Sequence, residues 1–158
     1  MDIETTLIGI VLVIVCATPF IVLTAGRKKA EKKKQKAFFD LAKHHGCQID
    51  HFDMGNHSVI GIDTAQNTVL FYKQTPEGTQ QYCVPLKDIQ SCKRRVVNNT
   101  RKVTERLQLV LTPLPKLREK GTPEISLEFY NAEVEMQLEG ELQLLEKWET
   151  LINSKLKA

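Results

Sequence analysis

An uncharged run, LIGIVLVIVCATPFIVLTAG, occupies residues 7–26. A bilayer core is about 30 Å thick, and a helix crosses it with roughly 20 apolar residues. This run has that length. Its β-branched residues (Ile8, Ile10, Val11, Val13, Ile14 and Val15) would suit a buried strand in water. In lipid every backbone polar group must be satisfied inside the segment, so helix prevails. Pro19 lies in its second half and removes one donor, and Thr18 or a neighbouring helix could satisfy the freed carbonyl. A cleaved signal peptide would need a basic stretch before the apolar core and small residues after it. Here Asp2 and Glu4 lead and no Ala-x-Ala follows. The reading is an uncleaved transmembrane helix at 7–26, preceded by a short extracytoplasmic tail at 1–6.

The flanks give it a direction. Arg27, Lys28, Lys29, Lys32, Lys33, Lys34 and Lys36 follow the span directly, with Glu31 as the one acid among them. The positive-inside rule puts that side in the cytoplasm and the amino terminus outside. Residues 1–36 hold seven Lys/Arg and three Asp/Glu, a net +4, while residues 37–158 hold fifteen and sixteen, a net −1. The basic character is juxtamembrane, and a near-neutral domain is a poor nucleic-acid binder. Cys47, Cys83 and Cys92 are odd in number and lack CxxC spacing, which agrees with a reducing compartment. Cys83 and Cys92 bracket a strand pair, are candidate neighbours, and read as small buried hydrophobes.

No Gly or Pro interrupts residues 27–45, so a basic juxtamembrane helix spans 27–46 with Gly46 as its cap. Phe38, Phe39, Leu41 and Ala42 would pack on the domain that follows. The period then falls to two. Strands are expected at 47–52, 58–63, 68–73, 81–86, 89–97, 106–111 and 125–130, with turns at 54–57, 64–67, 76–78 and 98–100 and a Pro-rich loop at 113–123. From about Leu138 the apolar positions Leu142, Leu145, Trp148, Leu151, Ile152 and Leu156 recur at three- and four-residue steps, which is one face of an amphipathic helix. Trp148, the single tryptophan, is the natural plug of the sheet's open side. The fold class is therefore α+β: a transmembrane helix, then a seven-stranded antiparallel sandwich or partial barrel capped by a C-terminal helix, with the domain at 47–158.

The segments VIGIDTAQNTVLFYK (59–73), YCVPLKDIQSCKRR (82–95) and ISLEFYNAE (125–133), followed by that helix, resemble membrane-linked bacterial pleckstrin-homology-like domains. The resemblance implies that fold, in the inner membrane of a bacterial cell, and a binding or scaffolding module; no cofactor is expected. Its phosphoinositide pattern does not carry over. That pattern draws basic residues from the first hairpin, where this chain has Asp50, Asp53 and the turn Met54-Gly55-Asn56-His57.

Three clusters are candidate sites. His51 and His57 would face each other across the first hairpin, and Cys47 could complete a zinc-like set with them, although the spacing matches no standard finger and surface histidines are the plainer reading. Lys93, Arg95, Arg101 and Lys102 would converge around the turn at 98–100, as a patch for anionic headgroups, for an acidic partner, or as a solvated hairpin. The seven juxtamembrane basic residues are read as a topology determinant with incidental lipid contact. No Gly-rich phosphate loop, HExxH or Ser-His-Asp pattern occurs. The expectation is a non-enzymatic, single-pass membrane protein, an accessory subunit or scaffold that binds a membrane-protein partner. An anionic-lipid sensor is the alternative, and a membrane-tethered metal protein or enzyme a third.

Overall fold

The computed structural model describes residues 2–138 and 140–157. The chain divides into two compact units, 1–36 and 37–158. Helix α1 (Ile3–His44) supplies the first and extends into the second. It is long and apolar enough to cross a membrane. Thr18 Oγ1 donates to the Ile14 carbonyl at 2.6 Å. The carbonyl that Pro19 leaves without its helical donor belongs to Val15, four residues back. A helical threonine reaches its own i−4 position, so Thr18 reinforces the preceding turn and does not fill the gap. At the other end Gly46 adopts φ +69°, its N–H donates to Lys43 at 3.1 Å, and the Cys47 N–H reaches Ala42 at 2.8 Å. That pair of bonds is a Schellman cap, which needs the left-handed residue that glycine supplies without strain.

The second unit holds seven antiparallel strands: β1 (His51–Met54), β2 (Ser58–Asp63), β3 (Thr68–Thr75), β4 (Gly78–Pro85), β5 (Ile89–Asn98), β6 (Thr104–Pro113) and β7 (Ile125–Asn131). Among the described residues they form two sheets, β1-β2-β3-β4 and β5-β6-β7, and no closed barrel. A 3-10 turn at Leu86–Asp88 carries the chain between them. The first strand starts four residues later than the alternation at Cys47 predicts. Cys47 is consumed by the helix cap, and the Gln48 N–H donates to Asp63 Oδ2 at 2.8 Å, so these backbone groups are occupied before pairing begins. Met54, expected in the turn, closes β1 opposite Val59.

β2 is buried at every position. One of its faces, with Ile60, Ile62, Val69 and Phe71, meets Leu107, Leu109, Leu111, Leu127 and Phe129 in the main core. The other, with Val59, Leu70 and Tyr72, is covered by Phe38, Ala42 and Cys47 from the end of α1 and its cap. Gly61 makes that second contact possible. A Cβ there would lie 2.7 Å from the tip of the Phe38 ring and 2.9 Å from Ile49.

Two elements complete the unit. Residues 115–119 of the expected loop form a short helix, α2 (Pro115–Glu119), with Pro115 in its first turn, where the missing N–H costs nothing. Helix α3 (Glu141–Leu156) starts after Gly140, three residues beyond the predicted Leu138. Its Leu145, Trp148 and Ile152 are fully buried in the main core. Asp53 Oδ2 accepts from the indole N–H of Trp148 at 2.9 Å and from Lys147 Nζ at 2.7 Å. Asn153 accepts from the Cys92 N–H at 3.1 Å and donates to the Cys92 carbonyl at 2.8 Å. Its amide thus occupies the edge of β5 as a neighbouring strand would, which ties α3 to the second sheet.

Candidate functional site

Side chains alternate along a strand, and this sorts the basic residues of β5. Arg94 turns toward α3, where its guanidinium lies 2.6 Å from Glu146 and 3.6 Å from Glu149. Lys93 and Arg95 turn to the opposite face. There they line a groove of about 730 Å³ with Gln90, Ser91, Thr112 and Val110, and Arg94 also borders it. The far wall comes from α2 and the segment after it, which contribute Arg118 and Glu124. Val110 is only 5% exposed and supplies an apolar floor.

The charges in this groove are unequal. Arg95 lies 3.5 Å from Glu124, with about half of each side chain exposed. Arg118 is held by a hydrogen bond to Gln90 Oε1 at 3.3 Å. Among the described residues neither Lys93 nor Arg118 has an ion-pair partner within 4 Å. Four cations therefore border the site, Arg94 paired with acids of α3, and the other three face one lining acid in a concave site of the size that small ligands and short peptide segments occupy.

The four basic residues expected in one patch divide into two groups. Lys93 and Arg95 are in the groove. Arg101 and Lys102 sit in the hairpin tip, where Asn99 Oδ1 accepts from the Arg101 and Val103 N–H groups and Lys102 takes φ +60°. The turn is longer than 98–100 predicts, since pairing resumes only at Thr104. Residues 96–98 put roughly 10 Å of strand between Arg95 and that tip. Arg118, the groove's third cation, was not among the expected residues. Its signal was Pro115 at a helix start, which turns a nominal loop into a wall.

The histidine set does not assemble. His51 pairs with Ile62, while His57 precedes Ser58 at the opposite end of β2. Five residues of strand, roughly 16 Å, separate the two positions. No group of three or more potential metal ligands occurs among the described residues. The cysteines also pair differently. Cys83 packs against the apolar cluster that contains Cys47, and Cys92 belongs to the main core. Burial pushes the Cys47 and Cys83 thiols up, with Cys83 adding to the effect on Cys47, and burial with Glu149 nearby drives Cys92 to about 12. All three are poor nucleophiles. Of the juxtamembrane residues, Arg27, Lys28, Lys29, Lys32, Lys33 and Lys36 are exposed and Lys34 is buried.

A second charged cluster is internal. Lys73, 2% exposed, lies 3.0 Å from Glu135 and 3.6 Å from Glu128. Glu135 belongs to the strap between β7 and α3, and its flanking residues Val134 and Met136 are exposed. No protein-family model, curated protein or solved structure matches this chain.

Proposed function

We propose that this chain is a non-enzymatic, single-pass protein of the inner membrane, with its amino terminus outside and a pleckstrin-homology-like domain in the cytoplasm. It serves as an accessory subunit or scaffold that engages a membrane-protein partner through that domain. The single observation that carries the reading is the groove on β5 and β6, where, among the described residues, Lys93, Arg95 and Arg118 face Glu124 as the one lining acid. An exposed excess of cations against an apolar floor suits an acidic protein surface, because complementary charge steers and orients the encounter. The seven-strand order with a C-terminal capping helix supports the domain type, and the basic residues after the span support the orientation. A lipid-sensing reading draws on Arg101 and Lys102, exposed at the hairpin tip beside a membrane-anchored chain.

The test is copurification of the full-length chain from its native membrane in mild detergent, beside a triple variant Lys93→Glu, Arg95→Glu, Arg118→Glu. The expected result is a stoichiometric membrane protein with the parent chain and none with the variant. Recovery of the parent with lipid alone, or retention of the partner by the variant, refutes the reading.

A further inference from the structure

We infer that the groove accepts an acidic polypeptide segment and that Glu124 is its built-in competitor, holding the position a partner's carboxylate would take on Arg95. This rests on the protein-partner reading above and specifies the chemistry of the same site. A carboxylate is the one anionic group the groove already accommodates: Glu124 Oε2 lies 3.5 Å from the Arg95 guanidinium. That pair is weak by construction. Both side chains are about half exposed, the distance exceeds that of a charge-assisted hydrogen bond, and screening by water leaves little to hold it. Glu124 also sits in the connection before β7, where its backbone joins no strand ladder, so the carboxylate can turn away at low cost. Lys93 and Arg118 then offer the two remaining positive positions, and Ser91 and Thr112 line the groove with hydroxyl groups that can serve a peptide backbone. Arg94 also borders the groove, but its guanidinium already has two carboxylates of α3 beside it, at 2.6 and 3.6 Å.

The probe is a fluorescein-labelled hexaglutamate peptide, titrated by anisotropy against the full-length chain in nonionic detergent at low salt. Lys93→Gln and Arg118→Gln should each weaken binding about threefold, the scale of one exposed charge contact. Glu124→Gln should tighten it by about the same factor. Glu105→Gln, the same charge change at an exposed site outside the groove, should leave affinity unchanged. The juxtamembrane basic run will also attract the peptide, but that binding is blind to residues 93, 118 and 124. Affinity indifferent to Glu124→Gln, or shifted equally by Glu105→Gln, overturns the inference. So does displacement of the peptide by glycerophosphoserine at concentrations where free glutamate has no effect, which would reassign the groove to a headgroup. Loss of the native partner from the triple variant, with peptide affinity unmoved by Glu124→Gln, overturns the competitor alone and leaves the partner reading standing. Retention of the partner by the triple variant overturns both.

Discussion

The Lys73–Glu135 pair makes an asymmetric prediction. Breaking a buried ion pair by removing one partner typically costs about 3–5 kcal/mol, because the other charge is left without compensation. The two partners here are not equivalent. Lys73 keeps Glu128 at 3.6 Å when Glu135 is lost. Glu135 keeps nothing comparable when Lys73 is lost: its Oε2 is already buried without a hydrogen-bond partner, and its side chain is 1% exposed. Lys73→Met should therefore destabilise by about 3 kcal/mol, and Glu135→Leu by only about 1–2 kcal/mol. The Lys73→Met cost sits at the low end of the range because the strap can lift and hydrate its carboxylate. The double variant should cost less than the sum of the singles by at least about 1 kcal/mol, since neither charge is then stranded. Trp148, the single tryptophan and fully buried, reports unfolding of this unit in a urea titration of the full chain in detergent. Hydrogen exchange across residues 132–138 should accelerate in Lys73→Met well before the strands exchange. Equal costs for the two single variants, or additivity in the double, would refute the reasoning.

Three further outcomes follow from other contacts. Gly61→Ala places a methyl group 2.7 Å from the Phe38 ring, so it should destabilise the unit by about 1–3 kcal/mol in the same titration, with faster exchange in residues 37–44. Native Cys47, Cys83 and Cys92 should resist iodoacetamide at pH 8 while the urea-unfolded chain is alkylated readily, with Cys92 slowest in a peptide-resolved mass measurement. Asp50 is held below its ordinary 3.8, chiefly because its carboxylate accepts from the Thr64 hydroxyl and then from the Thr64 N–H. A depressed folded-state value means a contribution present above pH 3.8 and lost as the pH falls through the lower folded value. Asp50→Asn should accordingly lower stability at neutral pH and flatten the acid limb of a stability–pH curve, and an unchanged acid limb would refute it.

Most elements were legible in the chain because their signals are local. Short runs rich in β-branched and aromatic residues between turns at 58–63 and 68–73, and the three-to-four spacing around Trp148, are patterns that burial imposes directly. Gly46 as the helix cap follows from glycine's tolerance of positive φ. The failures share a cause, which is competition for a residue by a distant group. Cys47 alternates as a strand residue should, but the helix cap and Asp63 claim that stretch first. His51 and His57 look adjacent in a short hairpin, yet register separates them, and register depends on partners that lie elsewhere in the chain. The groove was half legible. Strand parity puts Lys93 and Arg95 on one face, but Arg118 comes from α2, tied to Gln90, and Glu124 from the segment after it, which parity does not reveal.

The same parity argument explains why net charge is a poor guide to this domain. Residues 37–158 sum to −1, yet the sum conceals three different fates for neighbouring cations. Arg94 is neutralised by Glu146 and Glu149 and serves to hold α3. Arg106 meets Glu133 at 3.6 Å beside the strap. Lys93, one residue from Arg94, has no ion-pair partner within 4 Å among the described residues and lines the concave face. Acids are not scarce in the domain, so the imbalance in the groove is one of placement. Helix α3 draws carboxylates to one side of the second sheet and leaves the other side positive. A partner that reads this chain by charge would then meet the groove face, and Glu124 is the residue whose removal should make that preference stronger.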